Sequence, residues 1–439
     1  MAPLTASSAA TSRRTGASGA LQTHPPFPPH HPSGRAVPPH RYERIRQVLS
    51  AAGKTFFTWF GPVPRVMIMD PELVREILSN KSGHFGRASL SPLGRALASG
   101  LISYHGGKWA KHRRILNPAF HVEKLKQMLP AFSACCGDLV GRWENLVGQE
   151  GSYELDVWPE LQNFTGDVIS RAAFGSSYEK GRRIFQLQVE LTQLIFQAIQ
   201  SGYIPGYRFL PTPQNNRIKA INREEHGNKN AGMTSDEVVE ECKLFYFAGQ
   251  ETVSVLLTWT MVVLSMHPEW QVRAREEVLQ VFGKNKPDFD GLSHLKIVTL
   301  ILYEVLRLYT PAILIQKITY KTVKLGNIVY PPGVLLVLPI VFIHHDPDLW
   351  GKDASEFKPE RFAQGITKAS KDQVAFFPFS GGPWVCIGQN FALLEAKTAL
   401  CMILQQFSFE LSPSSYTHAP RILVTLQPQH GAQLRLHKL

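Results

Sequence analysis

The chain has 439 residues, of which 44% are hydrophobic and 19% charged, so it has ample apolar material for a large core. Its five cysteines are odd in number and irregular in spacing, which argues against a disulfide framework and a CxxC zinc site. The net charge of +12 is scattered, without a basic helix or an aromatic-interleaved patch. This charge suits an acidic protein partner or an anionic membrane face as well as it suits nucleic acid. The ordered chemical motifs described below do not arise from charge, and they disfavour a nucleic-acid or structural binding protein.

Residues 1–42 contain no Asp or Glu and are rich in Ala, Ser, Thr, Pro and His. Such a segment cannot form a packed core, so we expect this leader to be disordered. Its Ser- and Arg-rich composition also fits a transit peptide, and an unselected or wrongly joined leader is the alternative. The longest apolar candidate, Val253 to Met266, has only 14 residues and includes Ser and Thr, so no transmembrane helix is predicted.

The globular part begins with two short predicted strands, Phe56–Phe60 and Arg65–Met69. Asp70 followed by Pro71 predicts the N-cap and first residue of a short helix. The Gly- and Ser-rich stretch from about 82 to 107 is a loop by composition, and loops of that length are usually functional or mobile.

The next predicted helix begins near Lys108 and places Trp109 and Arg113 four residues apart on one face. An indole N–H and a guanidinium can together hold one anionic group. A surface helix with a packed tryptophan and a solvated arginine is the alternative. Residues 117–200 are mostly amphipathic helix, and the pattern degrades into Gly, Pro, Asn and charge at 201–233.

From Thr234 to Ser265 the sequence predicts its best-formed helix, which is apolar almost all round and therefore central and buried. Ala248 and Gly249 are small enough to let a flat ligand or dioxygen lie against the backbone. The Thr252 hydroxyl can bond to the Ala248 carbonyl, and Glu251 beside it can relay protons. A core helix with one satisfied threonine and a surface glutamate is the alternative.

Two further elements carry paired charges. Glu304 and Arg307 stand three apart on the predicted helix 299–309, a spacing that allows an ion pair but is also common on helix surfaces. Arg361 lies downstream in a Pro-bounded loop, residues 357–362.

Residues 379–388, which we call the Cys loop, place Cys386 after a Gly-Gly-Pro turn and before a segment with helical spacing, Gln389 to Phe407. Its glycines allow positive φ or close backbone approach. A thiolate at a helix N-terminus is favoured by the helix dipole and free N–H groups, as an axial ligand of haem iron requires. A tight turn beside a buried thiol is the alternative.

The order of these motifs resembles that of the cytochrome P450 family of haem-thiolate monooxygenases over residues 43–439. Trp-x-x-x-Arg, Ala-Gly-x-Glu-Thr, Glu-x-x-Arg, Pro-Glu-Arg-Phe and the Cys loop follow one another as they do there. The resemblance implies a mainly α fold with small β-sheets, in which haem b lies between a central buried helix and the helix after the cysteine. Within the family, the chain looks most like the plant branch of secologanin synthase and of terpenoid and gibberellin oxidases. The segments that carry this likeness are 245–252, 343–346 and 386–391.

The resemblance implies roles for the residues singled out above. Cys386 is the axial ligand of the iron, and Thr252 and Glu251 are the catalytic proton relay. A buried network holds the Cys loop and consists of Glu304, Arg307 and Arg361. The other cofactor contacts that the motifs imply, the first two on a haem propionate, are Trp109, Arg113, Ala248, Gly249, Phe379, Gly382 and Gly388.

The implied activity is insertion of one atom of dioxygen into a hydrophobic small molecule, with electrons from NADPH–cytochrome P450 reductase. Apolar residues at 311–315 and the loop 84–105 fall where the family contacts substrate, which suits a terpenoid-like compound. The implied location is the endoplasmic reticulum membrane. Because the expected N-terminal anchor is absent, a soluble or plastid-targeted protein is the alternative. A membrane surface is a separate expected partner.

The chain also departs from the family pattern. There is no room at 201–233 for a further long helix, so the roof of the substrate pocket is shortened. Trp384 stands where the family usually has an arginine on a haem propionate, and a neutral indole cannot replace that donor. Losing one charge-assisted bond costs about 1.5–3 kcal/mol, so we expect weakened haem retention. These departures favour a second hypothesis, a degraded or truncated haem-binding pseudoenzyme without turnover.

Overall fold

The computed structural model describes residues 53–60, 63–80, 83–88, 94–95, 99–174, 190, 217, 235–372 and 374–439. The predicted leader lies outside the described residues, and so does the predicted roof segment at 201–233 apart from Arg217. The Thr234 end of the predicted central helix lies outside them as well.

The described part of the chain is mainly helical, as expected from the sequence. Its α-helices are α1 (Pro71–Ser79), α2 (Gly106–Leu116), α3 (Val122–Val147), α4 (Val157–Phe174), α5 (Ser235–Met266), α6 (Pro268–Phe282), α7 (Phe289–His294), α8 (Ile297–Leu308), α9 (Ile340–His344), α10 (Pro347–Trp350) and α11 (Gln389–Gln406).

The strands form small sheets. They are β1 (Thr55–Phe60), β2 (Val63–Ile68), β3 (Phe85–Arg87), β4 (Ser152–Asp156), β5 (Ile315–Thr319), β6 (Val323–Leu325), β7 (Ile328–Tyr330), β8 (Leu335–Leu338), β9 (Phe407–Leu411), β10 (Pro420–Ile422), β11 (Leu426–Pro428) and β12 (Gln433–Lys438). One sheet has the order β1-β2-β8-β5-β3, with β2 and β8 parallel, and another has the order β4-β12-β9. The pairs β6-β7 and β10-β11 are separate hairpins.

The first elements follow from local sequence signals. Both predicted strands are confirmed as β1 and β2, and the predicted short helix is confirmed as α1. The Asp70 carboxylate accepts the backbone N–H groups of Glu72 at 3.0 Å and Leu73 at 3.1 Å, which otherwise have no partner in the first turn. Pro71 occupies the position where its missing N–H costs nothing.

Helix α5 is the central helix of the larger core. Its residues from Val253 to Leu264 are all buried, and the Trp259 indole donates to the Leu426 carbonyl at 2.7 Å. By length and composition alone, the helix Glu237–Met266 could span a membrane. The sequence did not predict this candidate, because polar residues interrupt its apolar run. Because 78% of its most apolar window is buried inside the protein, the burial matches the core helix that the sequence predicted.

The Cys loop connects two hydrophobic cores. The larger core is formed by α3 to α6, α8 and α11 and includes Phe391, just after the loop. The smaller core surrounds the five-stranded sheet with α1, α9 and α10 and includes Phe377, just before the loop. The loop is therefore held at both ends by packed side chains.

Candidate active site

The Cys loop folds back on itself before α11 begins. The Cys386 N–H donates to the Phe379 carbonyl at 2.8 Å, and the Val385 N–H donates to the Gly382 carbonyl at 3.2 Å. Two residues take positive φ, Ser380 at 64° and Gly382 at 61°. These bonds and backbone angles place the cysteine three residues before the first residue of α11.

Gly382 is required by its surroundings. A Cβ at this position would overlap the Leu78 carbonyl oxygen at the end of α1, and its positive φ disfavours other residues. Its neighbour Gly381 has an extended backbone with φ of −160°, and a Cβ there would lie 3.5 Å from the Leu78 side chain, which is ordinary contact. Gly388 is also uncrowded, since a Cβ there would come no closer than 3.9 Å to Phe120. Of these three glycines, Gly382 alone is fixed by sterics.

The Cys386 thiol lies near a backbone donor and two cations. Cys386 is exposed as a residue, and the protein atoms around its sulfur raise the pKa of the thiol by burial. The Gly388 N–H and the positive charges of Arg113 and Arg87 oppose this rise and lower the pKa. A backbone donor and two cations thus favour the thiolate, the form that binds a metal.

Helix α2 contacts the Cys loop directly. The Arg113 guanidinium donates to the Val385 carbonyl at 2.8 Å and to the Asn117 side chain at 2.7 Å. The Trp109 ring lies 6.1 Å from the Trp384 ring, centroid to centroid. The Trp109 indole N–H is buried and has no hydrogen-bond partner within the described residues. A buried donor without a partner is unfavourable unless a ligand supplies the acceptor.

Two further cations complete the surroundings of the loop, and sequence reasoning missed both. Arg87 of β3 lies directly opposite Lys317 of β5 in the antiparallel pair. Lys317 is 2% exposed, and its ammonium lies 3.7 Å from the centroid of the Trp384 ring. Burial lowers the pKa of Lys317 to about 7, and the nearby charge of Arg87 adds to the effect. The β3–β5 pairing that brings them together has no local sequence signal.

The residues present fit a haem. Among the described residues, Arg87, Arg113 and Lys317 make no ion pair with a carboxylate, although all three are at least partly buried. Together with the unpaired Trp109 N–H, they provide donors and positive charge for the anionic side groups of a porphyrin. The Cys386 sulfur supplies the soft ligand that haem iron takes.

Helix α5 carries the predicted catalytic threonine. The Thr252 hydroxyl donates to the Ala248 carbonyl at 2.6 Å, which confirms the predicted bond. Ala248 and Ile387 pack against the same small pair of buried residues, Leu101 and Leu244. This contact brings the middle of α5 to the Cys loop.

Gly249 was expected to let a flat ligand or dioxygen lie against the backbone, but it packs against a side chain of α4. A Cβ there would lie 3.0 Å from the Ile169 side chain of α4. Its small size is therefore explained by close packing of α4 against α5 rather than by approach of a ligand. The adjacent Gln250 carbonyl accepts the Thr165 hydroxyl of α4 at 2.9 Å, which adds a polar tie at the same place.

Glu251 is turned away from Thr252. Its carboxylate accepts the Thr425 hydroxyl at 2.5 Å and the Gln427 amide, both at the β10–β11 hairpin. Burial raises the pKa of Glu251, and the hydrogen bonds from Thr425 and Gln427 act in the opposite direction. The described residues show no hydrogen bond between Glu251 and Thr252, so the structure does not join the expected acid–alcohol pair directly. The surface-glutamate alternative is wrong, because Glu251 is buried.

The buried charge network implied by the sequence is present. Arg307 and Glu304 are fully buried and form two parallel bonds of 2.8 and 2.7 Å. Arg361 adds a 3.3 Å contact to the same carboxylate. The Arg307 guanidinium also donates to the His344 carbonyl at 2.8 Å and to the Ala354 carbonyl at 2.6 Å. The pair therefore lies inside the fold rather than on a helix surface.

His344 links this network to the Cys loop. The Phe377 N–H donates to Nε2 of His344 at 3.2 Å, so Nδ1 carries the ring proton and donates to the Arg307 carbonyl at 3.2 Å. The Phe377 carbonyl then accepts the Ser380 N–H at 3.0 Å inside the loop. Burial lowers the pKa of His344 well below its usual value, which keeps the ring neutral. From the sequence alone, residues 343–346 were interpreted only as a mark of the plant branch.

We expect Gly382→Ala to destabilise the protein by about 2 kcal/mol or more, because it combines positive φ with steric overlap. Gly381→Ala is the matched control, and we expect it to change stability by no more than about 0.5 kcal/mol. Denaturant unfolding of both variants measures the difference. Equal stabilities would contradict the loop geometry.

Comparison with known proteins gives consistent results. The family model described as Cytochrome P450 matches residues 30–227 and 215–435. Cytochrome P450 CYP72A616 of Paris polyphylla is 61% identical over 92% of this chain and 86% of its own length. Cytochrome P450 72A13 of Arabidopsis thaliana is 54% identical, over 90% and 83%. 7-Deoxyloganic acid hydroxylase of Catharanthus roseus is 51% identical, over 92% and 85%.

These matches confirm the fold class and the plant branch predicted from the motifs. Members of the family bind haem iron through a cysteine thiolate, and they use dioxygen, a redox partner and a small-molecule substrate. The match spans most of the chain and includes α5 and the Cys loop. The chain therefore belongs to the cytochrome P450 family of haem-thiolate monooxygenases.

Proposed function

We propose that this chain hydroxylates a hydrophobic, terpenoid-like small molecule with electrons from NADPH–cytochrome P450 reductase. The observation that carries the proposal is the placement of Cys386, which combines a backbone donor and nearby cations with a neighbour, Ile387, that packs with residues of α5. A relative whose name states hydroxylation, 7-deoxyloganic acid hydroxylase, supports the reaction class.

We assign the binding of the cofactor to residues of the Cys loop and α2. Cys386 would hold the iron as thiolate, with the Gly388 N–H directed at its sulfur. The Trp109 indole N–H and the Arg113 guanidinium would hold a propionate. When bound, haem supplies the iron centre that activates dioxygen. Phe379 holds the loop closed through its carbonyl, and Ala248 keeps α5 close to it.

Proton delivery would fall to α5. Thr252 is partly accessible, and its hydroxyl is held by the Ala248 carbonyl, so its oxygen can accept a proton from a neighbouring donor and pass one on. Burial raises the pKa of Glu251, so this carboxyl retains a proton more readily than an exposed one. Because the two side chains are not bonded, transfer between them needs a bridging water or a rotation of Glu251 away from Thr425 and Gln427.

The described part of the chain contains residues that we assign to contacts with the substrate and with the reductase. The segment 311–315 is apolar and largely half-buried, as a wall for a hydrophobic substrate requires. Helix α2 exposes Lys111 and Arg114 beside the Cys loop, and these suit an acidic reductase surface.

Phe57 and Trp59 on β1 are 66% and 70% exposed, which suits contact with the membrane of the endoplasmic reticulum. We assign residues 43–439 to one haem domain.

Reconstitution tests the proposal. We expect the purified chain, with the reductase and NADPH, to hydroxylate at least one member of a panel of terpenoid-like compounds, and Thr252→Ala to lower product formation by about a hundredfold. Thr258→Ala is the matched control, because Thr258 is buried in the same helix two turns further on. Product analysis by mass spectrometry measures both. Equal losses in the two variants would contradict the assigned role of Thr252.

The hydrogen bonds of His344 predict a second result. We expect His344→Phe to leave the Phe377 N–H and the Arg307 carbonyl without their partner. Each unpaired buried group should lower the free energy of unfolding by about 1–3 kcal/mol. The Cys loop should then hold its thiolate less firmly, and the red-shifted carbon monoxide band of the reduced protein should lose intensity.

His344→Gln, which keeps an acceptor near Nε2, should recover part of that band. His345→Gln is the control, since the ring of His345 bonds the Val341 carbonyl within α9. His344→Phe could lower stability while the carbon monoxide band, divided by the amount of bound haem, keeps its wild-type intensity. In that case His344 does not position the loop.

A further inference from the structure

We propose that His112 of α2 is a positioning residue for the thiolate site. Through its bond to Glu241 of α5 it fixes the peptide of Leu101, and that peptide in turn holds Arg87 of β3. Arg87 is one of the two cations near the Cys386 sulfur. The inference rests on the proposed function, because it concerns how the same thiolate is held.

The first contact is buried between α2 and α5. His112 and Glu241 are 0% and 2% exposed, and the ring N–H at Nδ1 of His112 donates to Oε1 of Glu241 at 2.7 Å. The other ring nitrogen, Nε2, lies 3.7 Å from one carboxylate oxygen of Glu237. The second oxygen of Glu237 lies 2.8 Å from the Lys108 ammonium. The His112 ring is therefore held between two carboxylates of α5.

The second contact passes this position to the backbone before α2. Oε2 of Glu241 accepts the Leu101 N–H at 3.0 Å. Gly100 permits this approach, because its φ is +58° and a Cβ there would lie 2.7 Å from the same oxygen. Burial raises the pKa of Glu241, and the bonds from Leu101 and His112 act in the opposite direction. Without His112, the carboxylate would take up a proton more readily and would hold the Leu101 N–H less firmly.

The third contact reaches the surroundings of the cysteine. The Leu101 carbonyl accepts the Arg87 guanidinium at 3.1 Å, which is the one hydrogen bond of that guanidinium within the described residues. The charge of Arg87 favours the Cys386 thiolate. The Leu101 side chain also packs with Trp109 in one small buried cluster. A displaced Leu101 would therefore release the cation and loosen the packing of the tryptophan.

Two measurements on the full-length, haem-bound protein test this role. We expect His112→Phe to speed hydrogen exchange at the Leu101 amide about tenfold, because the acceptor of that N–H is weakened. In the carbon monoxide spectrum of the reduced protein, the ratio of the red-shifted thiolate band to the band of neutral ligation should fall about fivefold, because the thiolate loses a nearby cation.

Matched variants separate this contact from a general change in the fold. His112→Asn keeps an N–H donor near the position of Nδ1, so both readouts should stay within about twofold of wild type. Glu241→Leu should act at least as strongly as His112→Phe, and the double variant should add little, because both residues act through one contact. His121→Phe is the control and should match wild type, since His121 is exposed and its side chain makes no capping bond.

The contradictory outcomes are distinct. A purely stabilising role would lower the unfolding midpoint of His112→Phe while the band ratio and the Leu101 exchange of the folded protein stay at wild-type values. That result, or equal losses in His112→Asn and His112→Phe, would overturn the inference and leave the proposed function standing. If no variant folds, wild type decides, because a Leu101 amide that exchanges as fast as an open loop overturns the inference. A wild-type protein without the thiolate band would overturn both.

Discussion

The Cys loop depends on a carboxylate and a guanidinium that the fold removes completely from water. Glu304 and Arg307 satisfy each other through two bonds, and the remaining donors of Arg307 hold the chain at His344 and Ala354. Breaking such a pair leaves a buried charge and costs about 3–5 kcal/mol. The network therefore has one stable arrangement. The His344 ring connects it to the Cys loop, because it bonds both the Arg307 carbonyl and the Phe377 N–H just before the loop.

The surroundings of the cysteine combine rigidity with positive charge. From the side of α2, Arg113 holds the Val385 carbonyl, so the loop is fixed from two directions. The same guanidinium, together with Arg87, favours a negative sulfur against the opposing effect of burial. Within the part of the chain that the structure describes, Arg87, Arg113 and Lys317 have no carboxylate partner, which is unusual for buried or half-buried cations. An anionic cofactor bound at this site would supply the opposite charge.

The sequence predicts features whose partners are close along the chain. The bond from Thr252 to Ala248 was predicted correctly because a helix places residues four apart on one face. The partners of Glu251 were not predicted, since they lie 174 and 176 residues away on a hairpin with no motif. Arg87 and Lys317 face each other because of the register of two strands that are separated by about half of the chain. Such contacts come from tertiary packing, which local propensity does not specify.

The central claim is that Cys386 binds haem iron as a thiolate. The most direct measurement is the carbon monoxide difference spectrum of the reduced, purified protein, recorded for wild type and for Cys386→Ser, with Cys242→Ser as a control. The account predicts the red-shifted band of thiolate-ligated haem in wild type and Cys242→Ser, and its loss in Cys386→Ser. A band typical of neutral or histidine ligation in wild type, or a wild-type protein without haem, would contradict it.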